Sequence, residues 1–216
     1  MDKGIYYFVN LHTMKDAKYA LRKSQKGKTF TADYIPYDQA TLKGNELLYG
    51  DAMPKIGFYI IFSINTGLRV SDVLSRRHSE LAGMRPGEYL RIRERKTGKV
   101  REIQVNDKII DAYRQLSDKL KGRQLQGDCI FTSAKGGVYA VESLNVILKK
   151  VFAGYAPHIS THSLRKSFGR HVYETNGRSE DALVKLSELF RHTCMAVTRR
   201  YLGIRREELG SIYMNL

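Results

Sequence analysis

The sequence predicts an α+β fold in which most of the chain is helical and a small antiparallel sheet separates two groups of helices. An apolar segment over residues 56–64 indicates a buried helix in the first group. Apolar and basic residues alternate over 90–95, which indicates a strand, and the Thr-Gly pair at 97–98 can turn the chain into a partner strand over 100–105. From Val141 onward the pattern is mostly helical again.

Turn-forming and capping residues predict where several elements begin and end. Pro54 suits the first turn of the apolar helix, and Gly67 can end it. The segment 128–132 indicates a short extended stretch before a turn at 136–137. Polar side chains that can accept hydrogen bonds from free N–H groups predict five helix starts, at Ser71, Asn106, Thr161, Ser179 and Thr193.

The length of 216 residues suits one large domain, or one domain with a short appendage. We expect residues 1–36 to form a basic N-terminal segment and linker, and residues 37–216 to form the main domain. Within the first segment, residues 15–26 can form a basic helix, and residues 26–31 have the composition of a linker.

The net charge is the most unusual bulk property of the chain. Lys and Arg number 37 against 22 Asp and Glu, a net charge of +15. Such an excess usually indicates a nucleic-acid partner, although a basic surface that serves solubility alone is an alternative. Only Cys129 and Cys194 are present, which fits a reducing cytoplasm. The N-terminus has no signal-peptide layout, and no apolar stretch approaches the roughly 20 residues of a membrane span.

Several motifs carry residues suited to chemistry on a phosphodiester. The planar guanidinium of Arg69 can bind a phosphate, with Asp72 three residues later to orient it or balance its charge. Lys96 lies at the tip of the predicted hairpin, where an ammonium can reach a leaving oxygen as general acid. His162 and Arg165 share one face of a predicted helix. Each of these residues alone also fits a structural role as an exposed cation or a surface pair.

Tyr201 is the candidate nucleophile because it lies nine residues after His192. The chain has 14 tyrosines, and most tyrosines are half-buried packing residues, so the spacing carries the inference. Tyr213 has no histidine at a matching distance. His158 and His162 have the spacing of metal ligands on a helix, but the proline before them argues against one regular helix, and no metal site is expected.

Two arginines, two histidines and a tyrosine are sufficient for phosphodiester transfer without a metal ion. The arginines neutralise the charge that repels a nucleophile and stabilise the more highly charged transition state. A tyrosine, with an ordinary pKa near 10, needs such help before it attacks. A covalent phosphotyrosine keeps the energy of the phosphoester bond, so rejoining needs no ATP. The sequence therefore predicts neither a metal nor a nucleotide cofactor.

Together and in this order, the motifs resemble those of the tyrosine recombinases, also called the phage integrase family. The motifs are Thr-Gly-Leu-Arg at 66–69, Lys-Thr-Gly-Lys at 96–99, His-Ser-Leu-Arg at 162–165 and the segment 192–201. The resemblance covers roughly residues 37–206 and implies a tyrosine recombinase catalytic domain over 37–216. Three positions depart from the common family pattern, which often has Glu, His and Gly where this chain has Asp72, Lys166 and Arg191.

The resemblance implies a role in strand cleavage for six residues and no cofactor. Arg69 and Arg165 would clamp the scissile phosphate, and His192 would donate a hydrogen bond to it. Lys96 would protonate the leaving 5′ oxygen, and His162 would serve in proton transfer. Tyr201 would form the 3′-phosphotyrosine.

The function implied is site-specific recombination of double-stranded DNA, with integration, excision or inversion as its outcome. A homotetramer is expected on DNA, and a monomer or weak oligomer when the protein is free. Relatives usually carry an N-terminal DNA-clamping domain, for which there is no room before Tyr37, so a single-domain recombinase or a catalytic fragment is expected. A type IB topoisomerase-like enzyme and a non-cleaving DNA-binding regulator are the two alternatives.

Overall fold

The computed structural model describes residues 31–121 and 127–216, and only the backbone of residues 205–208. The predicted helix at 15–26 lies outside these residues, as does the linker at 26–31 except for its last residue. Helices, a two-stranded sheet and further helices follow one another, so the predicted α+β class is confirmed. The elements are α1 (Tyr37–Tyr49), α2 (Pro54–Thr66), α3 (Val70–Leu74), α4 (His78–Leu81), β1 (Tyr89–Arg93), β2 (Val100–Gln104), α5 (Asp107–Leu120), α6 (Val141–Val151), α7 (Thr161–Thr175), α8 (Glu180–Phe190), α9 (Met195–Leu202) and α10 (Ile204–Met214).

The apolar helix α2 lies at the centre of the main core. Every residue from Ile56 to Ile64 is buried, and α1, α5 and α7 pack around the helix. Gly57 allows α1 to approach closely, since a Cβ there would lie 2.3 Å from the backbone nitrogen of Leu48. As predicted, Pro54 begins the helix, and Gly67 ends it with a φ of 58°.

The strands β1 and β2 form the predicted antiparallel hairpin, in which Arg93 pairs with Val100. Leu90 and Ile92 face the core, and the arginines that alternate with them are exposed. Gly98 supplies the positive φ of 68° that the turn between the strands requires. The hairpin therefore presents a basic outer face.

The extended segment over 128–132 forms isolated bridges at Cys129 and Thr132 rather than a third strand of the sheet. The chain before α1 already packs on the same body, because the N–H of Ile35 donates to Ser167 Oγ at 3.0 Å. The division of the chain at Tyr37 stays a prediction. No helix within residues 31–121 and 127–216 is long and apolar enough to cross a membrane.

Two of the five predicted helix starts are confirmed. Asn106 Oδ1 accepts from the N–H of Ile109, and Ser179 Oγ accepts from that of Ala182. The other three predictions are wrong by one or two residues, because helix α3 begins after Arg69 rather than Ser71, α7 after Ser160 rather than Thr161, and α9 after Cys194 rather than Thr193.

A second, smaller apolar cluster lies where helices α7, α8 and α9 meet. Phe190, Leu202 and Ile204 are buried in it, and Tyr201 packs against it. Gly169 leaves room for this packing, since a Cβ there would lie 2.6 Å from Leu202 Cδ2. The cluster fixes the position of α9 relative to α7, and so of Tyr201 relative to the residues of α7.

Candidate active site

The predicted phosphate-binding arginines converge on one backbone carbonyl. Arg69 immediately precedes α3, whereas Arg165 lies in the second turn of α7. Nη2 of each donates to the carbonyl oxygen of Phe190 at 3.4 Å. Nη1 of Arg165 also donates to the carbonyl of Gly67, the residue that ends α2. The two guanidinium groups are thereby held side by side.

Phe190 organises this part of the site through both its backbone and its ring. It is the last residue of α8, so its carbonyl lies at the negative end of the helix dipole. Its ring centroid lies 4.5 Å from Cζ of Arg165 and 5.5 Å from the ring centroid of Tyr201. Burial lowers the pKa of Arg165 to about 10, and the group therefore remains a cation at neutral pH.

Tyr201 lies on α9 with its ring packed edge-on against Phe190 and His192. Its hydroxyl oxygen is buried and makes no hydrogen bond of regular geometry with any residue that the structure describes. Burial raises the pKa of Tyr201 to about 12, and the nearby charge of Arg165 acts in the opposite direction. The candidate nucleophile is a protonated phenol that lies beside a fixed cation.

His192 lies in the short connection between α8 and α9. Its Nδ1 is 2.9 Å from Oγ1 of the buried Thr198, and its ring centroid is 5.3 Å from that of Tyr201. Burial and the charges of Arg165 and Arg69 lower the pKa of His192 below its ordinary value. A neutral imidazole therefore lies beside the candidate nucleophile and within reach of the charges of both arginines.

His162 and Lys96 lie at the solvent side of the site. His162 is in the first turn of α7, and Lys96 is exposed in the β1–β2 turn. The protein atoms around the imidazole, followed by the charges of Arg165, Lys166 and Lys96, lower the pKa of His162. All six predicted site residues therefore lie on segments that meet around the C-terminal end of α8.

Asp72 does not pair with Arg69, which corrects the predicted role of this carboxylate. The side chain is buried, and its Oδ1 accepts from the backbone N–H of Arg95 at 2.8 Å. Its backbone carbonyl accepts from Nε of Arg76 at 2.9 Å. Asp72 therefore attaches helix α3 to the β1–β2 turn.

Glu94 is the carboxylate that binds Arg69, and sequence reasoning missed it. Its Oε2 accepts from Nη1 of Arg69 at 3.1 Å and from Nε of Arg191 at 3.0 Å. A signal was present in the sequence, because Glu94 continues the inward-facing alternation of Leu90 and Ile92. An acidic residue at a core-facing position two residues before Lys96 indicates a buried cationic partner.

Two further cations lie near the predicted site residues. Nζ of Lys166 is 5.2 Å from the ring centroid of Tyr201, and the lysine is 7% exposed. Burial lowers the pKa of Lys166. Arg101 donates to the carbonyls of Thr66 at 3.1 Å and Leu189 at 3.3 Å. Both residues add positive charge to the same region.

Neither the second candidate tyrosine nor a metal site changes this description. Tyr213 is 77% exposed near the end of α10. Among the described side chains, those of residues 31–121, 127–204 and 209–216, no group of three or more His, Cys, Asp or Glu is arranged to hold a metal ion.

Comparison with known proteins gives a consistent family. The model of the phage integrase family matches residues 52–208. The probable integrase/recombinase YoeC of Bacillus subtilis (strain 168) is 26% identical over 158 residues, which cover 72% of this chain and 81% of that protein.

Three solved structures share the fold. The XerA recombinase has a TM-score of 0.63 at 15% identity, and the match covers 87% of this chain and 66% of that one. The XerH site-specific recombinase bound to palindromic difH substrate has a TM-score of 0.61 at 16% identity, over 86% of this chain and 54% of that one. The catalytic domain of bacteriophage HP1 integrase has a TM-score of 0.51 at 19% identity, over 79% of this chain and 88% of that one.

The chain thus spans between half and two thirds of the two Xer structures and most of the HP1 catalytic domain. The family match covers the α2–α3 turn, the hairpin and the helices that carry the arginine, histidine and tyrosine residues of the site. The chain belongs to the phage integrase family.

Proposed function

We propose that this protein is a tyrosine-type site-specific recombinase, which breaks and rejoins double-stranded DNA through a 3′-phosphotyrosine intermediate. The observation that carries the proposal is the arrangement around Phe190. Its carbonyl holds Arg69 and Arg165 side by side, and its ring packs against Tyr201. A paired cation site beside a tyrosine is what attack on a phosphodiester requires.

In this proposal the two arginines bind the scissile phosphate. Guanidinium groups match the geometry of phosphate oxygens and stay charged throughout the reaction. They stabilise the additional negative charge of the transition state, which is the largest contribution of such donors to catalysis. Because this charge is supplied by side chains, the reaction as proposed does not require a metal ion.

The protons of the proposed reaction have identifiable donors and acceptors. The phenol oxygen of Tyr201 forms a bond to phosphorus, and the bond from phosphorus to the 5′ oxygen breaks. His162, whose lowered pKa favours the neutral form, accepts the phenolic proton, and Lys96 protonates the 5′ oxygen. His192 donates a hydrogen bond to the phosphate. Rejoining reverses these steps.

The buried hydroxyl of Tyr201 has a consequence for this mechanism. An oxygen without solvent access cannot approach a phosphate that binds at the protein surface. Helix α9 or the side chain of Tyr201 therefore moves when DNA binds. Gly203, which follows α9 with a φ of 79°, provides a point at which the backbone can turn.

Double-stranded DNA is the proposed substrate and partner. The net charge of +15 and the exposed arginines of β1 suit an anionic duplex. The related fold of XerH is described in a complex with its difH substrate.

Assembly into a homotetramer on DNA is part of the same proposal. The last helix, α10, carries Leu209, Ile212 and Tyr213 with 48%, 57% and 77% of each residue exposed. Such a run of exposed apolar residues is typical of an interaction surface. We assign residues 37–216 to the catalytic domain and residues 1–36 to a basic segment and linker.

The role of Tyr201 can be tested by trapping the covalent intermediate. DNA attached to the protein in denatured cells is sequenced, and a nicked duplex of the recovered site is then used as substrate. We expect Tyr201→Phe to bind this duplex nearly as well as the unchanged protein and to form no adduct. The matched variant Tyr213→Phe should form the adduct normally, with EDTA present.

Each alternative activity gives a distinct result in this experiment. An adduct that persists in Tyr201→Phe contradicts the assignment of the nucleophile. Relaxation of supercoiled plasmids that lack the recovered site indicates a type IB topoisomerase-like enzyme. Site-specific binding without any adduct in the unchanged protein indicates a non-cleaving regulator.

A further inference from the structure

One oxygen atom of Glu94 joins three segments of the candidate active site. Its Oε2 accepts from Nη1 of Arg69 at 3.1 Å, from Nε of Arg191 at 3.0 Å and from Oγ1 of Thr97 at 2.8 Å. Arg69 lies in the α2–α3 turn, Thr97 in the β1–β2 turn and Arg191 in the α8–α9 connection. The carboxylate is 1% exposed, so water does not compete for these bonds.

These segments carry three of the proposed catalytic groups. Arg69 is itself a phosphate ligand, Lys96 is adjacent to Thr97, and His192 is adjacent to Arg191. A single carboxylate can therefore set the positions of a phosphate ligand, a general acid and a hydrogen-bond donor relative to one another. Catalytic groups lose effectiveness when displaced by as little as about 1 Å.

Arg191 adopts a backbone conformation that disfavours most side chains. Its φ of 55° places it in the left-handed region at the end of α8, where the family often has glycine. The ion pair with Glu94 and a hydrogen bond from Nη2 to the carbonyl of Val100 at 3.4 Å hold the arginine in place. A strained residue held by such contacts is a common feature of functional sites.

The charge of Glu94 offsets a concentration of arginines. The carboxylate interacts electrostatically with four arginines, which are Arg69, Arg101, Arg165 and Arg191. Burial raises the pKa of Glu94, but the bond from Thr97 and the charges of Arg69 and Arg191 outweigh it, and the pKa is lowered. Glu94 is therefore an anion at neutral pH.

We propose that Glu94 is a positioning residue for strand cleavage, which holds Arg69 against the scissile phosphate and uses Arg191 as its second cationic partner. Glu94 itself does not contact the reacting atoms. The inference rests on the proposed function, and it adds a residue pair for which the sequence motifs of the site give no role.

The test compares Glu94→Gln with Glu102→Gln on the nicked duplex at saturating DNA. Glu102 is a suitable control because it lies on the partner strand of the same hairpin and faces Arg91 at 3.8 Å, but is 59% exposed. Loss of a charged hydrogen-bond partner predicts an adduct rate about 10- to 100-fold lower for Glu94→Gln. Glu102→Gln should cleave at the unchanged rate.

A second substrate separates positioning of Arg69 from general damage. A neutral methylphosphonate at the scissile position removes the charge that Arg69 neutralises, so the defect of Glu94→Gln should shrink to within a few-fold. A double-mutant cycle gives an independent readout, since Glu94→Gln should cost much less in an Arg69→Lys background. Thermal unfolding and duplex affinity establish that the variants are folded.

Three results overturn the inference. They are an unchanged cleavage rate in Glu94→Gln, an equal loss on both substrates, and full additivity with Arg69→Lys. If Glu94→Gln does not fold, Arg191→Asn replaces it, because asparagine tolerates the left-handed conformation. Relative to the unchanged protein, this variant should slow cleavage of the charged substrate more than cleavage of the neutral one. Equal slowing on both substrates overturns the inference. If the unchanged protein forms no adduct, the proposed function fails first, which is a different result.

Discussion

At the scale of single residues, the candidate site contains two histidines that stay neutral among cations. Surrounding protein atoms and neighbouring cations lower the pKa of both His162 and His192 from the ordinary value of 6.5. Both imidazoles are therefore uncharged at pH 7 and become protonated only below 6.5. A neutral His162 can accept the proton of Tyr201, whose pKa of about 12 prevents ionisation by pH alone.

This arrangement predicts the direction of the pH dependence. The rate of adduct formation in a single turnover should be constant near neutral pH and fall as pH decreases below 6.5, because protonated His162 cannot accept a proton. In His162→Gln, the rate at neutral pH should be lower and this acid limb should flatten. His158→Gln, a change in the loop before α7, should keep both the rate and the limb. An acid limb that is unchanged in His162→Gln would show that another group titrates.

The sequence was sufficient to predict residues that the structure brings together around Phe190, but not their hydrogen-bond partners. The spacing of motifs predicts Arg69, Arg165 and Tyr201 as site residues, because these lie at fixed positions on helices and turns. The partner of Arg69 is Glu94, which is 25 residues away in the chain. Asp72 is closer in sequence but faces the β1–β2 turn instead. Which of the two carboxylates pairs with Arg69 depends on how the hairpin packs against α3, and local sequence patterns do not specify this packing.

At the scale of elements, the same limit explains the errors at helix starts. Ser160 and Thr161 are both good N-cap residues, and only the structure shows Ser160 Oγ accepting from the N–H of His162 at 3.2 Å. Arg69 and Cys194 begin helices without a side-chain cap. Their positions are set by tertiary contacts, so capping preference does not predict them. The buried helix α2 was predictable because its apolar run leaves no other arrangement.

The contact of α1 with α2 predicts a strong stability effect at Gly57. An alanine Cβ would lie 2.3 Å from the backbone nitrogen of Leu48 and 2.6 Å from the carbonyl oxygen of Gly44, neither of which can rotate away. Gly57→Ala should lower the free energy of unfolding by about 3 kcal/mol, the upper part of the range for overpacked cores. Urea denaturation measures this difference.

Gly210 provides the matched control for this substitution. It lies in α10, and a Cβ there would meet no atom of the described side chains within 4 Å. Gly210→Ala should raise the free energy of unfolding by up to about 1 kcal/mol, because alanine has the higher helix propensity. Equal effects of the two substitutions would mean that α1 and α2 do not pack as closely as the structure has them.

At the scale of the whole molecule, the C-terminal helix carries apolar residues that the described part of the chain leaves exposed. Ile204, the first residue of α10, is buried in the cluster that positions α9, but Leu209, Ile212, Tyr213 and Met214 are exposed. The helix therefore begins within the core of its own domain and ends as an apolar surface. The short link at Gly203 connects this helix directly to the one that carries Tyr201.

Replacement of Ile212 and Tyr213 by serine tests whether this surface docks on a second copy. Both side chains are largely exposed, so the variant should fold and bind a single DNA site as the unchanged protein does. If the surface lies in a contact between protomers, pairing of two sites and recombination should fall at least about tenfold, the cost of losing one to two kcal/mol at an interface. Val146→Ser, an exposed apolar residue of α6, should leave both steps unchanged.

The stage at which the variant fails decides what the helix does. Because α9 and α10 are joined at Gly203, docking of α10 on a neighbour can pull α9 and free the buried hydroxyl of Tyr201. In that case the variant should also form the adduct more slowly on paired sites, while its rate on a single nicked site stays the same. Loss of pairing with a normal adduct rate on both substrates would assign α10 to assembly alone. Normal recombination would show that the exposed face is not an interface between copies of this chain.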